Sequence, residues 1–516
     1  VLIRNACAAL PGEDDFRRVD IWVKEGKIAS IRTAGMGESP DSAAVPGEAM
    51  ENILDARGLL LFPGAIDPHV HFDEPGFTHR EDFLHGSAEA ARGGVTTIID
   101  MPCTSLPPVT SPEALHGKLA IVSKTALVDF GFFGGLHGAM DRHAIDACTT
   151  QLAGKVLGFK CYFVSGMDTF PAVDETGFAA AAESCARAGR PLLLHAEDPQ
   201  VLREAKSRLA EEARSAQHDT PEAQSSTQSS AQSSAALRNA DPGLDWRRYY
   251  AQRPMEAEIE ACRKAIDAAG GHASSVHIVH VGTAEAARMV RRSGASCETC
   301  AHYLAFDEQD YSVYGAALKT APPVKEASQK ALLWKLLADG SIDFVTSDHA
   351  GAPEYEKFTG NPETAYGGIP GTGTLFPYLL SEGFFGRRLT LKRFLEVSSG
   401  AAARRYGLSG GKGSIEKGMD ADFVLVDPGL TTLLEPSVML SKSRVSPFSG
   451  MRLAGKILGT FVRGRLVHGV PGFFPHDISG DPADLPGFAG SASGSGHIFA
   501  PPGSGQFLQW GYRWEK

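Results

Sequence analysis

Residues 59–101 read LLLFPGAIDPHVHFDEPGFTHREDFLHGSAEAARGGVTTIIDM, and this stretch decides the fold. An apolar, β-rich run, LLLFPGAIDPHVH (59–71), comes first. FLHGSAEAARG (83–93) follows with helical spacing, and then a second β-rich run, GVTTIIDM (94–101). The unit recurs along the chain. Further β-rich runs are ALVDFGFF (126–133), KVLGFKCYF (155–163), RPLLLH (190–195), SSVHIVH (274–280), ASCETC (295–300) and SIDFVTSD (341–348). Most lead into Ala-, Glu- or Lys-rich helical stretches such as TAEAARMVRRSG (283–294). Eight such units across 59–410 predict an α/β fold, a (β/α)₈ TIM barrel. A doubly wound open sheet is the alternative reading.

Outside the barrel the pattern changes to alternation. VLIRNA (1–6) and VDIWVKEGKIASI (19–31) read as short strands with a Gly turn, and ADFVLVD (421–427) and GKILGTFVRGRLVHG (455–469) match them near the other end. Segments 1–58 and 411–475 are therefore expected to build one small flanking β-sandwich. Within the barrel, 204–240 reads as a polar low-complexity insertion, centred on AQSSTQSSAQSSAA. It falls between the fifth and sixth strands, either as a lid or as a passive loop. The tail 476–516 is rich in Gly, Pro and Ser, with Trp510, Tyr512 and Trp514 expected to dock it on a neighbouring surface.

Composition removes several function classes. The 516 residues are 43% hydrophobic and 22% charged, an ordinary globular mix, and the net charge of -11 comes without any basic run. No nucleic-acid partner is expected. No apolar run is long enough to span a membrane, and VLIRNACAAL is too short and polar for a signal peptide. Eight sparse cysteines read as free thiols, and the expected location is cytoplasmic. Cys297 and Cys300 form a CxxC, but inside a barrel strand and with no second pair, so no zinc ribbon is expected.

The chemistry-bearing residues share one position. His69 and His71 stand two apart after a β run, so period-2 geometry points both to the barrel interior, a spacing that suits a metal. Lys160, His195, His280 and Asp348 each close a strand run, and catalytic groups of this fold converge at those ends. Lys160 has two readings. It is a salt-bridged structural lysine, or it is an amine kept neutral by burial beside dications that reacts with carbon dioxide to give a bridging carbamate.

Together GAIDPHVHFDEPG, GGVTTIIDMP, GFKCYF, LLLHAE, HIVHVGTAE, ETCAHYLAF, SDHA and GMDADFVLVD resemble the dihydroorotase, allantoinase and hydantoinase branch of the amidohydrolase superfamily, over roughly residues 1–470. The resemblance implies two divalent metal ions, zinc by default, and an N6-carboxylated lysine at Lys160. His69 and His71 would hold the more buried ion, with Asp348 as a further ligand, and His195 and His280 the more exposed one. Lys160 would bridge them. A metal-bridged hydroxide would open a small cyclic ureide or imide, with Asp348 as catalytic proton carrier. His277 reads as structural. The resemblance also implies a homo-oligomer, dimer or tetramer.

The substrate signature departs from its relatives. Asp73 replaces the Arg of dihydroorotases, and Cys103 and Thr104 stand where the related motifs carry Asn. These changes disfavour dihydroorotase, which stays as the alternative, and the remaining motifs look closest to allantoinase. Candidate substrate contacts are Asp73, Thr104, His302, Tyr303, Gly367 and Gly368. Asp73 reads equally as solvent-facing or paired with Arg80, and His302 and Tyr303 equally as structural. A non-catalytic dihydropyrimidinase-like scaffold is the alternative from another class, but such relatives usually lack several of the six ligands retained here.

Overall fold

The computed structural model describes residues 1–34, 52–218, 245–470, 472–474 and 497–512. Eight parallel strands form the barrel: β1 (Ala65–Val70), β2 (Val95–Asp100), β3 (Asp129–Phe132, resuming at Gly134–Gly135), β4 (Phe159–Tyr162), β5 (Leu192–His195), β6 (Val276–Ile278), β7 (Ser296–Cys300) and β8 (Phe344–Thr346). The ring closes where the chain beyond β8 meets β1. His71 N–H donates to the His349 carbonyl at 2.7 Å, and His349 N–H to the His69 carbonyl at 3.3 Å. A helix follows each strand, and side-chain caps start several of them. Asp82, Ser111, Asp141 and Asp174 each accept a first-turn N–H. Helices cover the strands outside and side chains fill the barrel inside, so β2 is buried at every residue, which is why these runs read as continuously apolar.

Strands from both ends of the chain join in one sheet. Its order is His497–Ile498, Arg465–Gly469, Arg452–Val462, Phe423–Leu433, Leu60–Pro63, Leu2–Ala8, Arg17–Lys24 and Lys27–Thr33, with Ile53–Asp55 beside Leu2–Ala8. This sheet has its own core, including Ile3, Val19, Ile21, Leu61, Phe423, Leu425 and Phe461. The architecture is the expected (β/α)₈ barrel with a flanking β-sandwich built from both termini.

Two boundaries differ from the sequence reading. The run at 59–71 is not one barrel strand. Leu60–Pro63 pairs with Phe423–Leu433 in the flanking sheet, and the barrel begins at Ala65. The break is at Gly64, where a Cβ would lie 2.1 Å from Thr96 Oγ1, so only glycine lets the chain pass that close. Likewise, residues 204–218 are not low-complexity coil. They continue a helix, Pro199–His218, while 219–240 lie outside the described residues.

The tail docks on a neighbouring surface of the barrel, as expected. Leu508 N–H donates to the Phe130 carbonyl, Arg190 lies over the Trp510 ring, and Leu508 joins Ile66, Ile99, Phe133, Leu193, Val279 and Phe344 in the layer sealing the barrel floor. Trp514 lies outside the described residues. Below that layer, Lys412 is wholly buried among three carboxylates, Asp129, Asp420 (2.8 Å) and Asp422 (2.7 Å), with Lys27 on Asp420 and Arg463 on Asp129. The ammonium fills this cluster, which locks barrel to flanking sheet. Lys412→Met would leave the carboxylates buried without their shared cation. The expected loss is about 3–5 kcal/mol of stability, read as a lowered thermal midpoint. An unchanged midpoint would show that the cluster contributes little.

Candidate metal centre

The closing hydrogen bonds between the β8 end and β1 place Asp348 against two imidazoles. His69 Nε2 lies 3.1 Å and His71 Nε2 3.5 Å from Asp348 Oδ1. Asp348 (φ 49) and His280 (φ 41) both adopt left-handed backbone that non-glycine residues rarely hold. Such strain persists where the surroundings enforce it and marks functional positions. The imidazoles form a chain of neighbours: His71 to His69 (5.5 Å between centroids), His69 to His280 (5.6 Å) and His280 to His195 (4.6 Å). Lys160 rises from β4 beside them. Its Nζ is fully buried, lies 4.8 Å from the Tyr162 ring centroid, and has no hydrogen-bond partner among the described residues.

A second layer orients these groups. His69 Nδ1 faces Glu298 Oε1 at 2.5 Å, and Glu298 also meets His277 Nε2 at 3.1 Å and accepts from Thr346 Oγ1. His277 is thus held in a structural network, as its position three residues before the strand end implied. His195 Nε2 faces Glu197 Oε2 at 2.8 Å, and Glu197 is paired with Arg253. A carboxylate on one imidazole nitrogen sets the tautomer and turns the other nitrogen toward the centre. Glu298, Glu197 and Arg253 escaped the sequence reading. The signal for the first was a carboxylate inside the β run ASCETC, a place where an unpaired charge would be too costly to bury.

Burial sets the charge states. It lowers the pKa of His69, His195 and His280, favouring the neutral imidazole that can ligate. Burial also pushes the Lys160 amine down to about 8. His71 differs. Burial alone would lower it, but Asp348 and Cys103 outweigh that and raise it to about 10. Against the opposing effect of burial, His69, His71 and His280 hold Asp348 well below the usual carboxylate range. An entering cation would have to displace the His71 proton.

All six groups line one cavity of about 310 Å³, together with Cys103, Thr104, Tyr162, Arg253, Tyr366, Gly367 and Gly368. That volume suits a small ring. The Gly367–Gly368 loop is fixed by two buried ammonium groups. Lys319 donates to the carbonyls of Pro362, Glu363 and Ala365, and Lys357 to those of Tyr366 and Gly368. Thr104 Oγ1 sits 3.4 Å from His71 Nδ1.

Three expected substrate contacts lie elsewhere. Asp73 neither faces solvent nor pairs directly with Arg80. It is wholly buried beside Thr104, and burial pushes it up to about 7. Arg80 instead donates to Glu356 and covers the Tyr366 ring. Tyr303 turns away from the cavity, its hydroxyl donating to the Pro322 carbonyl at 2.7 Å. His302 packs on Tyr303 and contributes to a buried group with Cys300 and Asp348, behind the cavity wall.

All eight cysteines are free, as expected, and no helix among the described residues is long and apolar enough to cross a membrane.

Comparison with known proteins gives a consistent picture. A model of the Amidohydrolase family matches residues 60–467. An allantoinase of Rubrobacter xylanophilus is 38% identical over 456 residues, covering 87% of this chain and 90% of that protein. An allantoinase of Deinococcus radiodurans is 32% identical, covering 91% of this chain and 95% of its own length. Among solved structures, an L-hydantoinase (dihydropyrimidinase) from Arthrobacter aurescens superposes with a TM-score of 0.81 at 26% identity, over 98% of this chain and 99% of that one.

Proposed function

The chain belongs to the amidohydrolase family, in its cyclic amidohydrolase branch, and from that premise we propose that it hydrolyses the amide C–N bond of a small cyclic ureide, with allantoin first among the candidate substrates. The observation that carries this reading is the convergence of His69, His71, Lys160, His195, His280 and Asp348, from five strand ends, on one cavity. The donors fit two divalent cations, zinc first. The His69, His195 and His280 imidazoles, held neutral by burial, and a low-lying carboxylate supply ligands, and Lys160 Nζ is a buried polar atom with no hydrogen-bond partner among the described residues.

In this assignment His69, His71 and Asp348 would hold one ion and His195 and His280 the other, with Lys160 supplying an anionic ligand to both. The Lys160 amine adds to carbon dioxide and releases one proton, giving a carbamate anion. The two ions, when bound, acidify water and polarise a carbonyl, which brings hydrolysis to neutral pH. The residues handle the proton and the ring. The Asp348 carboxylate takes the proton of the attacking water and returns it to the leaving ring nitrogen, so the amine departs neutral. Thr104, Tyr162 and the Gly367–Gly368 backbone offer polar edges to the ring.

A substrate panel tests the proposal. Protein loaded with zinc and bicarbonate is expected to open allantoin faster than dihydroorotate, hydantoin, dihydrouracil or a cyclic imide. Faster turnover of dihydroorotate would replace allantoin in this reading.

A further inference from the structure

Tyr366 carries a hydroxyl that the proposed chemistry leaves without a role. The residue lines the cavity together with the six candidate ligands. Its segment runs beside the chain beyond β8, where Ala350 N–H donates to the Ile369 carbonyl at 3.0 Å and His349 bridges to Ile369. The charges of Asp73 and Asp348 both reach the phenol. Burial, ahead of these charges, raises its pKa, so the phenol keeps its proton and stays a donor.

The protein fixes the rest of this residue. Its N–H donates to the Glu356 carbonyl at 2.8 Å, and its own carbonyl accepts from Lys357 Nζ at 3.1 Å. The Arg80 guanidinium lies 4.5 Å from the ring centroid and is anchored on Glu356 Oε2 at 2.6 Å. The loop after β1 and the helix Glu354–Lys357 thus hold one ring between them. The hydroxyl meets no hydrogen-bond partner among the described residues. Tyr162, the other tyrosine lining the cavity, differs, because its hydroxyl lies 2.9 Å from Cys103 Sγ.

Opening a cyclic amide builds negative charge on one oxygen. As the water oxygen bonds to the ring carbonyl carbon, the C=O π pair moves onto the carbonyl oxygen. The pair returns when the C–N bond breaks, and the leaving nitrogen takes the proton that Asp348 carries. A neutral donor already fixed beside that oxygen stabilises the charge as it develops, without reorganisation. We propose that Tyr366 is a catalytic residue whose hydroxyl donates a hydrogen bond to the oxygen of the ring carbonyl under attack, with Arg80 as the positioning residue that holds its ring. The phenol proton stays on Tyr366 throughout. The inference rests on the proposed ring-opening function.

Steady-state kinetics of the zinc-loaded full chain, on whichever ring of the substrate panel wild type opens, test it. Tyr366→Phe removes one oxygen atom and keeps a ring under Arg80, so thermal midpoint and metal content should match wild type. Its kcat is expected to fall about 10²–10³-fold, the range for one lost oxyanion donor, with KM changed less than about threefold. Arg80→Met should lower kcat by a smaller factor, and should lower it no further in the Tyr366→Phe background.

A Tyr366→Phe kcat within about threefold of wild type would overturn the inference, even with KM raised, since the hydroxyl would then be a ground-state contact only. An Arg80→Met loss that adds in full to that of Tyr366→Phe would overturn the positioning role. Either result leaves the ring-opening function standing. Wild-type protein that opens no ring of the panel would overturn that function, and this inference with it.

Discussion

Lys160→Ala is expected to lose both its bound metal and its activity. In the proposed assignment the Lys160 carbamate would supply the anion shared by the two cations. Removing it leaves two cations in mutual repulsion. Transition-state stabilisation of several kcal/mol disappears with them, roughly a 10⁴-fold drop in kcat/KM. The backbone should tolerate the change, because the Nζ makes no hydrogen bond to lose. Short carboxylic acids such as propionate should restore part of the turnover by occupying the vacated space as bridging anions. Measuring metal content and turnover with and without propionate separates this from a salt-bridged structural lysine, the other sequence reading. A structural lysine would predict reduced stability, no rescue, and metal retained by whatever folds.

Asp348→Asn is the second large effect. The amide keeps an oxygen toward His69 and His71 but cannot carry a proton. Turnover should fall by about 10²–10⁴-fold, the range for a lost general acid–base, while metal content falls less. The diagnostic comparison is between substrates with good and poor leaving nitrogens. A ring nitrogen that leaves without protonation should lose less. Near-normal activity would remove Asp348 from the proton-carrying role.

Much of this centre was legible in the residues. A strand places alternate side chains on one face, so His69 and His71 declared a shared direction, and strand-end polar groups declared a shared level. The two-ended origin of the flanking sheet followed from alternation at both termini. Other features depend on contacts distant in sequence. The split at Gly64 is invisible in an apolar run because both halves are equally buried, one in each sheet, and only the approach of Thr96 reveals the break. The helix to His218 was hidden by the polarity of its outer face.

Asp73 shows the limit most clearly. Its neighbours in the chain suggested solvent or Arg80, but a left-handed backbone (φ 56) turns it inward, while Arg80 is taken by Glu356, 276 positions away. Tyr303 was likewise drawn off by a carbonyl beyond its own helix. Glu298 and the Glu197–Arg253 pair follow the same logic. Their roles arise from which imidazole nitrogen they touch, and spacing alone does not encode that.

A metal titration of activity tests the proposed two-cation centre most directly. Metal-free protein is titrated with zinc in bicarbonate buffer while allantoin opening is followed. Turnover is predicted to rise until two equivalents per chain are bound and then level off. A plateau at one equivalent, or full turnover in metal-free protein, would contradict a two-cation centre.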